Sequence, residues 1–427
     1  MTLVLACAAS WGCGPGKAKT TIVPDDGTLA DLVAGISNGA TITIKAGVHV
    51  VSKPIVANAN GVKLVGEPGA ILQGDSELGG GALLEVHGTN WTVEGLVFDG
   101  QFSKAKGIRG RRTSSGLTIR NCELKHLSNH AIDLDGADSR VEECQIHDNL
   151  VMTDGKRDDA HGIVTLHASN LVIRKCRIWN CSGDAIQAER GSWQNLLIDD
   201  CDLFLEPLAE AGAGFPKGDY VGENALDTKR LAKHERGKIR VVNCRAWGFK
   251  NERPGDWAAF NIKEKVHVEV VECDVRDSQI AFRLPTYRKG DQMQCEIKDC
   301  VIRDCATAFR IEDQAIGKEG KPGGTKIVGC RIENCKTGVD FVGVRAEGPL
   351  GKIGFKPESS MTDCVFVPEL TVNIARATNK DYRALLAHLL EQGNREETTD
   401  AEPHESAEAA EGSSDDDAPR HTPRGKE

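Results

Sequence analysis

Nine short stretches share one local frame: Asn121-Cys122-Glu123-Leu124, Glu143-Cys144-Gln145-Ile146, Lys175-Cys176-Arg177-Ile178, Asp200-Cys201-Asp202-Leu203, Asn243-Cys244-Arg245-Ala246, Glu272-Cys273-Asp274-Val275, Asp299-Cys300-Val301-Ile302, Gly329-Cys330-Arg331-Ile332 and Asp363-Cys364-Val365-Phe366. Alternating apolar residues precede most of them, as in Leu117-Thr-Ile119 and Val268-Glu-Val270. The cysteines are spaced 22, 32, 25, 43, 29, 27, 30 and 34 residues apart. A repeating coil of about 22 to 25 residues, lengthened by loops, accounts for this series. Each coil carries a second strand: Ala131-Ile-Asp-Leu-Asp135, Gly162-Ile-Val-Thr-Leu166, Ala185-Ile-Gln-Ala-Glu189, Ala225-Leu-Asp-Thr-Lys229, Ala259-Phe-Asn-Ile-Lys263, Ala281-Phe-Arg-Leu284, Ala308-Phe-Arg-Ile-Glu312 and Gly338-Val-Asp-Phe341. Period two turns Ile132 and Leu134 inward and Asp133 and Asp135 outward.

One coil cannot bury its apolar face alone, so the coils must stack, and stacking sets like on like. The pattern predicts an all-β chain, a right-handed parallel β-helix. The cysteines would then form an internal ladder of small buried thiols. The Cys-x4-Cys pairs Cys176/Cys181, Cys300/Cys305 and Cys330/Cys335 keep disulfides open as the alternative. Cys-x2-Cys spacing of the zinc type is absent.

Composition agrees with a long repeated β-structure: among 427 residues there are 46 glycines and only 5% aromatics. The net charge of −10 argues against a general nucleic-acid role. The ends need caps. Thr28-Leu-Ala-Asp31 opens an apolar run to Ile36 in a capping-box pattern, which predicts a short N-terminal helix below the coil starting at Thr41-Ile-Thr-Ile44. Asp381 to Leu390 has helical spacing. The expected division is a leader over 1–20, the β-helix over 21–376, a C-terminal helix over 377–392 and a disordered acidic tail over 393–427. The opening Met-Thr-Leu-Val-Leu-Ala-Cys7-Ala-Ala-Ser-Trp-Gly-Cys13 resembles the end of a bacterial lipoprotein signal, with Cys7 or Cys13 as the lipidated residue. A secreted or periplasmic/outer-membrane lipoprotein is expected, acting as a monomer. No run of about 18 apolar residues spans a membrane.

Successive coils lie about 4.8 Å apart, so equivalent outward residues of the second strand form columns. The first column reads Asp133, Val164, Gln187, Asp227, Asn261, Arg283, Arg310, Asp340. The next reads Asp135, Leu166, Glu189, Lys229, Lys263, Pro285, Glu312. Asp184, Glu189, Glu223 and Asp227 converge on neighbouring coils, and four carboxylates so close call for a cation. Ca²⁺ suits oxygen ligands on a rigid frame. Ion pairing with Lys229 and Lys263 is the alternative.

The cysteine frame, the Ala-Ile-x-Leu strands and Gly222-Glu-Asn-Ala-Leu-Asp-Thr-Lys229 resemble the bacterial β-helix polysaccharide lyases and epimerases of the pectate lyase-like superfamily. Asn261-Ile-Lys263 followed by Asp277-Ser-Gln-Ile-Ala-Phe-Arg283 is similar to the alginate lyase and chondroitinase B branch. The coil likeness runs over about residues 40–370. It implies a Lys base and an Arg on the next coil flanking the scissile bond of an acidic polysaccharide, with Ca²⁺ neutralising the uronate. Leu284-Pro285 stands where that branch has His-Gly after the Arg. Ala258-Ala259-Phe260 stands where its basic strand opens with Glu, which Glu223 supplies one coil earlier. Both Lys229 and Lys263 therefore stand as base.

The chemistry itself asks for three things. The uronate carboxylate must be neutralised so that the C5 proton becomes acidic. A base must take that proton, and a Lys serves if burial and nearby cations lower its pKa. A third group must meet the O4 leaving group. Lys263 and Arg283 are 20 residues apart, one coil, and face one groove. Arg310, Arg288 and Lys289 are placed to bind further uronates. His161, with His130 one coil below, is the alternative base and suits a C5-epimerase. Asp184, Glu189 and Asp227 offer the carboxylate pair of a glycoside hydrolase. Loops at 147–160, 205–222, 250–257 and 313–324 wall the groove, carrying Tyr220, Trp257 and, close by, Trp247, whose faces can stack on sugars. A non-catalytic carbohydrate-binding β-helix remains the alternative of a different class.

Overall fold

The computed structural model describes residues 19–22, 29–230, 234–250, 257–285, 293–312, 324–342, 359–374 and 379–398. Three parallel sheets of 13, 12 and 13 strands run the length of the molecule. Each turn of the chain gives one strand to each in order, for example Thr92–Glu94 to the first, Val97–Asp99 to the second and Lys106–Gly110 to the third. Parallel strands joined by crossovers wind right-handed, which makes the molecule a right-handed parallel β-helix, as its repeat predicts.

The cysteine frame marks one corner. Each of the nine cysteines follows a residue in the left-handed region, Asn121, Glu143, Lys175, Asp200, Asn243, Glu272, Asp299, Gly329 or Asp363, with φ between 51° and 63°. That bend carries the chain from the first sheet to the second. Asn, Asp and Gly accept it readily, whereas Glu143, Lys175 and Glu272 hold it against a steric penalty. The thiol that follows points inward and donates to the carbonyl two residues back, at 3.2–3.6 Å in all nine corners. A cysteine is small and apolar enough to stack yet still has a hydrogen to give. All thirteen cysteines among the described residues are free, including both members of every Cys-x4-Cys pair.

The interior of the third sheet is a second ladder. Phe260, Phe282 and Phe309 stack with ring centroids 5.1 and 5.5 Å apart. On the outer face of the second sheet His147, Trp179, Phe204 and Trp247 form another stack, at 4.2, 5.4 and 4.3 Å with planes within 7°. Trp247 therefore does not wall the third-sheet groove. Its faces are taken by Phe204 and by the Arg276 guanidinium, 4.9 Å from its centroid.

The caps form as expected, with shifted edges. A helix over Leu29–Ala34 buries Leu29 and Val33 against the first coils; Thr28 lies outside the described residues. A strand over Lys19–Ile22 pairs with Thr41–Ile44, so the sheet begins inside the segment expected to be leader. The C-terminal helix spans Asn379–Glu391 and buries Leu385 and Leu389. The expected tail boundary at 393 is too early. Asn394 is buried, and Arg395–Glu396 adds a last strand beside Val365–Phe366.

Because Phe282 is stacked between Phe260 and Phe309, Phe282→Ala leaves a cavity that a rigid coil cannot close. Urea unfolding should show a loss of about 3–5 kcal/mol. A loss below about 1 kcal/mol would mean the stack adds nothing beyond ordinary surface packing.

Candidate functional site

The third sheet holds the first expected column in register. Asp133 pairs with Val164, Val164 with Gln187, Gln187 with Asp227, Asp227 with Asn261, Asn261 with Arg283, Arg283 with Arg310 and Arg310 with Asp340. Lys229 and Lys263 follow at the strand ends and converge on one carboxylate. Lys263 Nζ lies 2.9 Å from Asp227 Oδ1, off the line of a hydrogen bond, and Lys229 Nζ lies 3.6 Å from Oδ2. Lys229 also sits 3.4 Å from Glu189 Oε2. Asp227 is buried, whereas both lysine side chains keep about a quarter of their surface.

Electrostatics separates these groups. Burial pushes the Asp227 carboxyl above its ordinary range, and the charges of Lys263 and Lys229 only partly restore the anion. Burial would lower the Lys229 ammonium, but the carboxylates of Asp227, Glu189 and Asp184 outweigh it and hold Lys229 charged. That is the reverse of what a lysine base needs.

A polar ladder runs just before these strands. His130, His161, Asp184 and Asn224 each stand two residues ahead of the inward residues Ile132, Ile163, Ile186 and Leu226. The Asp184 amide donates to His161 Nδ1 at 2.8 Å, and Asn224 Nδ2 donates to Asp184 Oδ1 at 2.7 Å. Gln187 Nε2 donates to Asp184 Oδ2 at 2.8 Å, and the Ala258 amide donates to Asn224 Oδ1 at 3.0 Å. The rings of His130 and His161 stack at 5.0 Å. Burial, followed by the charge on His130, drives the His161 imidazole well below its usual value. With Nδ1 accepting a backbone amide, neutral His161 carries its hydrogen on Nε2, so it offers a donor there and not a free lone pair. Asp184 is fully buried, and burial, with Asp227 and Glu223 adding, raises its carboxyl well above the ordinary range.

The four expected Ca²⁺ ligands do not assemble. Asp184 accepts from two amides, Glu189 faces Lys229, Asp227 faces both lysines, and Glu223 pairs with Arg157. Among the described residues no three His, Cys, Asp or Glu side chains are grouped to hold a metal ion. The donor set fits internal ion pairing and not a calcium cage.

Arg283 shares the column but turns away from the lysines. Its guanidinium makes a bidentate pair with Glu312, Nε to Oε1 at 2.8 Å and Nη2 to Oε2 at 3.1 Å. Arg310 meets the same Glu312 at 3.0 Å. Asn261, between Asp227 and Arg283, is buried with its Oδ1 unpartnered. Trp257 reaches the site, stacked under Arg157 at 5.2 Å, which joins it to Glu223. Tyr220 is exposed. Arg288 and Lys289 lie outside the described residues.

Sequence reading missed Asn224 and Arg157, and placed Gln187 in the first column without giving it a role. Aligning the second strands on their first inward residue would have found Asn224, since it occupies the offset of His130, His161 and Asp184. Arg157 comes from a hairpin of Met152–Thr153 and Lys156–Arg157, and nothing in the coil repeat places it.

A family model described as a right handed beta helix region matches residues 82–203. No curated protein sequence matches the chain. Among solved structures the chain is similar to the A-module of the Azotobacter vinelandii mannuronan C-5 epimerase AlgE4, with TM-score 0.53 and 13% identity over 81% of this chain and 90% of that one. It is similar to a mannuronic acid specific polysaccharide family 6 lyase from human gut microbiota, with TM-score 0.52 and 13% identity over 84% and 83%. It is also similar to a rhamnogalacturonan lyase, with TM-score 0.53 and 12% identity over 82% and 87%. At this identity the likeness establishes the fold, the right-handed parallel β-helix that these polysaccharide-active proteins share. No helix among the described residues is long and apolar enough to cross a membrane.

His130 gives the site a direct electrostatic check. Burial, then the charge on Lys106, lowers its imidazole to about 4 from the ordinary 6.5. The unfolded chain then binds the proton first, so this group's contribution is present above pH 6.5 and is lost as pH falls toward 4. NMR titration should keep the His130 ring neutral down to about pH 4, and a midpoint near 6.5 would contradict the burial described.

Proposed function

We propose that this protein cleaves a uronate-containing polysaccharide by β-elimination at the third-sheet columns. The observation that supports this most is the pair of ammonium groups, Lys229 and Lys263, meeting at one buried carboxylate on consecutive coils. A uronate carboxylate entering beside them meets positive charge, as its C5 acidity requires. Lys229, held protonated by Asp227, Glu189 and Asp184, neutralises that carboxylate. Lys263 contacts Asp227 among the described carboxylates and acts as the base. Lys263 Nζ, 2.9 Å from Asp227 Oδ1 at the end of its strand, is the amine placed to take the C5 hydrogen. The C5–H electron pair becomes the C4=C5 double bond, the C4–O4 bond breaks, and O4 leaves to take up a proton. Asn261 and the Arg283–Glu312–Arg310 network lie along the first column where the adjoining sugar falls, and Trp257 and Tyr220 border the strand starts.

Asp184 weighs against a hydrolase. It has no exposed surface and is fixed by Gln187 and Asn224, so it cannot reach a glycosidic oxygen or a water. An exported or lipid-anchored protein suits a polysaccharide substrate, and this part of the proposal rests on the sequence around Cys7 and Cys13, outside the described residues.

Incubation with alginate, pectate and glycosaminoglycans should produce the ultraviolet absorbance of the new double bond with at least one of them. Lys263→Ala should lower kcat by about 10²–10⁴-fold. Reducing ends without that absorbance would instead mean hydrolysis. EDTA should leave the rate unchanged, and its loss on chelation would reinstate Ca²⁺.

A further inference from the structure

The second column works only if three charged side chains on three coils stay in a fixed relation, and each is followed directly by a residue of one corner network. Glu189 is followed by Arg190, Lys229 by Arg230 and Lys263 by Glu264. Glu264 is buried and holds a left-handed backbone at φ 68°, a conformation that disfavours Glu. Its carboxylate reaches both other coils. Arg190 donates to Oε1 from Nε at 3.1 Å and from Nη2 at 2.7 Å, and the Arg230 amide donates to Oε2 at 2.5 Å.

The same corner is fastened from inside. The indole N–H of fully buried Trp193 donates to the carbonyls of Glu189, at 2.8 Å, and Lys229, at 3.1 Å. Arg230 lies over the Trp193 ring at 4.9 Å and donates to its carbonyl. The Thr228 hydroxyl accepts from the Lys263 amide and donates to the Lys263 carbonyl, both at 2.9 Å. The backbones of all three column residues are thus tied by side chains, in addition to the sheet.

Resting on the β-elimination proposed above, the geometry points to Glu264 as a positioning residue of the site. With Arg190 and the Arg230 amide it straps three strand ends together and sets the separation of Glu189, Lys229 and Lys263. It touches no substrate. A buried carboxylate held in an unfavourable backbone conformation is more than the coil needs, because other corners close without one. A misplacement of the reacting groups by about 1 Å is enough to lower a rate about 100-fold.

The test is Glu264→Gln, which keeps an acceptor for the Arg230 amide and removes the charge that binds Arg190. kcat on the uronate polymer should fall about tenfold or more with KM within about twofold, and Arg190→Lys should retain more activity than Arg190→Ala. Labelling of the Lys229 and Lys263 amines, mapped by mass spectrometry, should speed up at least about threefold in Glu264→Gln as their carboxylate contacts loosen. Unchanged kcat and unchanged labelling would overturn the strap. Should Glu264→Gln fail to fold by circular dichroism, Arg190→Ala reads the same contact from a partly exposed side chain. If the wild-type protein makes no unsaturated ends, the elimination itself fails. The labelling rates still decide the strap.

Discussion

In-register stacking of parallel strands at one fixed spacing is the constraint from which the other features follow. The backbone hydrogen bonds between coils set each residue against its equivalent in the next turn. Stacking is favourable where equivalents are alike and apolar, hence the thiol ladder and the Phe260–Phe282–Phe309 stack. It is costly where equivalents carry like charge, and the outward face of the third sheet shows how that cost is met. Asp227 is followed by neutral Asn261 in its own column and flanked by Lys229 and Lys263 in the next. Arg283 and Arg310, directly stacked, share Glu312. Charge on this face is balanced both between columns and within them, as where Lys229 meets Glu189 and Arg310 lies 4.0 Å from Asp340.

The fold was legible in the sequence because the repeat is local. The left-handed corner, the thiol after it and the alternation of the next strand all lie within a few residues, so nine copies expose the coil. The first outward column was legible too, since period two and the stacking rule fix it without coordinates. What could not be read was the direction each long side chain takes. Arg283 sits in the expected column, yet its guanidinium reaches toward Glu312, 29 residues later. The calcium expectation also left out the partners of its carboxylates. Four carboxylates do come near one another, but Arg157, the two lysines and the Asn224 and Gln187 amides each claim one. Arg157 arrives on a hairpin outside the repeat. Trp247 was assigned to the groove from its loop position, whereas it belongs to the outer stack of the second sheet.

In the proposed elimination, their carboxylate contacts divide labour between two lysines that look equivalent in sequence. Three carboxylates hold Lys229 as a cation, while Lys263 leans on the single buried Asp227. In the polar ladder of His130, His161, Asp184 and Asn224 behind them, each member accepts a hydrogen bond from the next coil. Such a network stiffens the strand starts and keeps water from the buried carboxyls. In the proposed reaction it would serve as a wall of the site, with Lys229 and Lys263 at the opposite strand ends.

The most direct measurement is a crystal structure with an unsaturated uronate oligomer bound. The account predicts a ligand carboxylate within about 3 Å of Lys229 Nζ, with the sugar ring's C5 facing Lys263 Nζ and the chain running along the Asn261–Arg283–Arg310 column. An oligomer lying on the first or second sheet, with both lysines still paired to Asp227 and no sugar beside them, would contradict it.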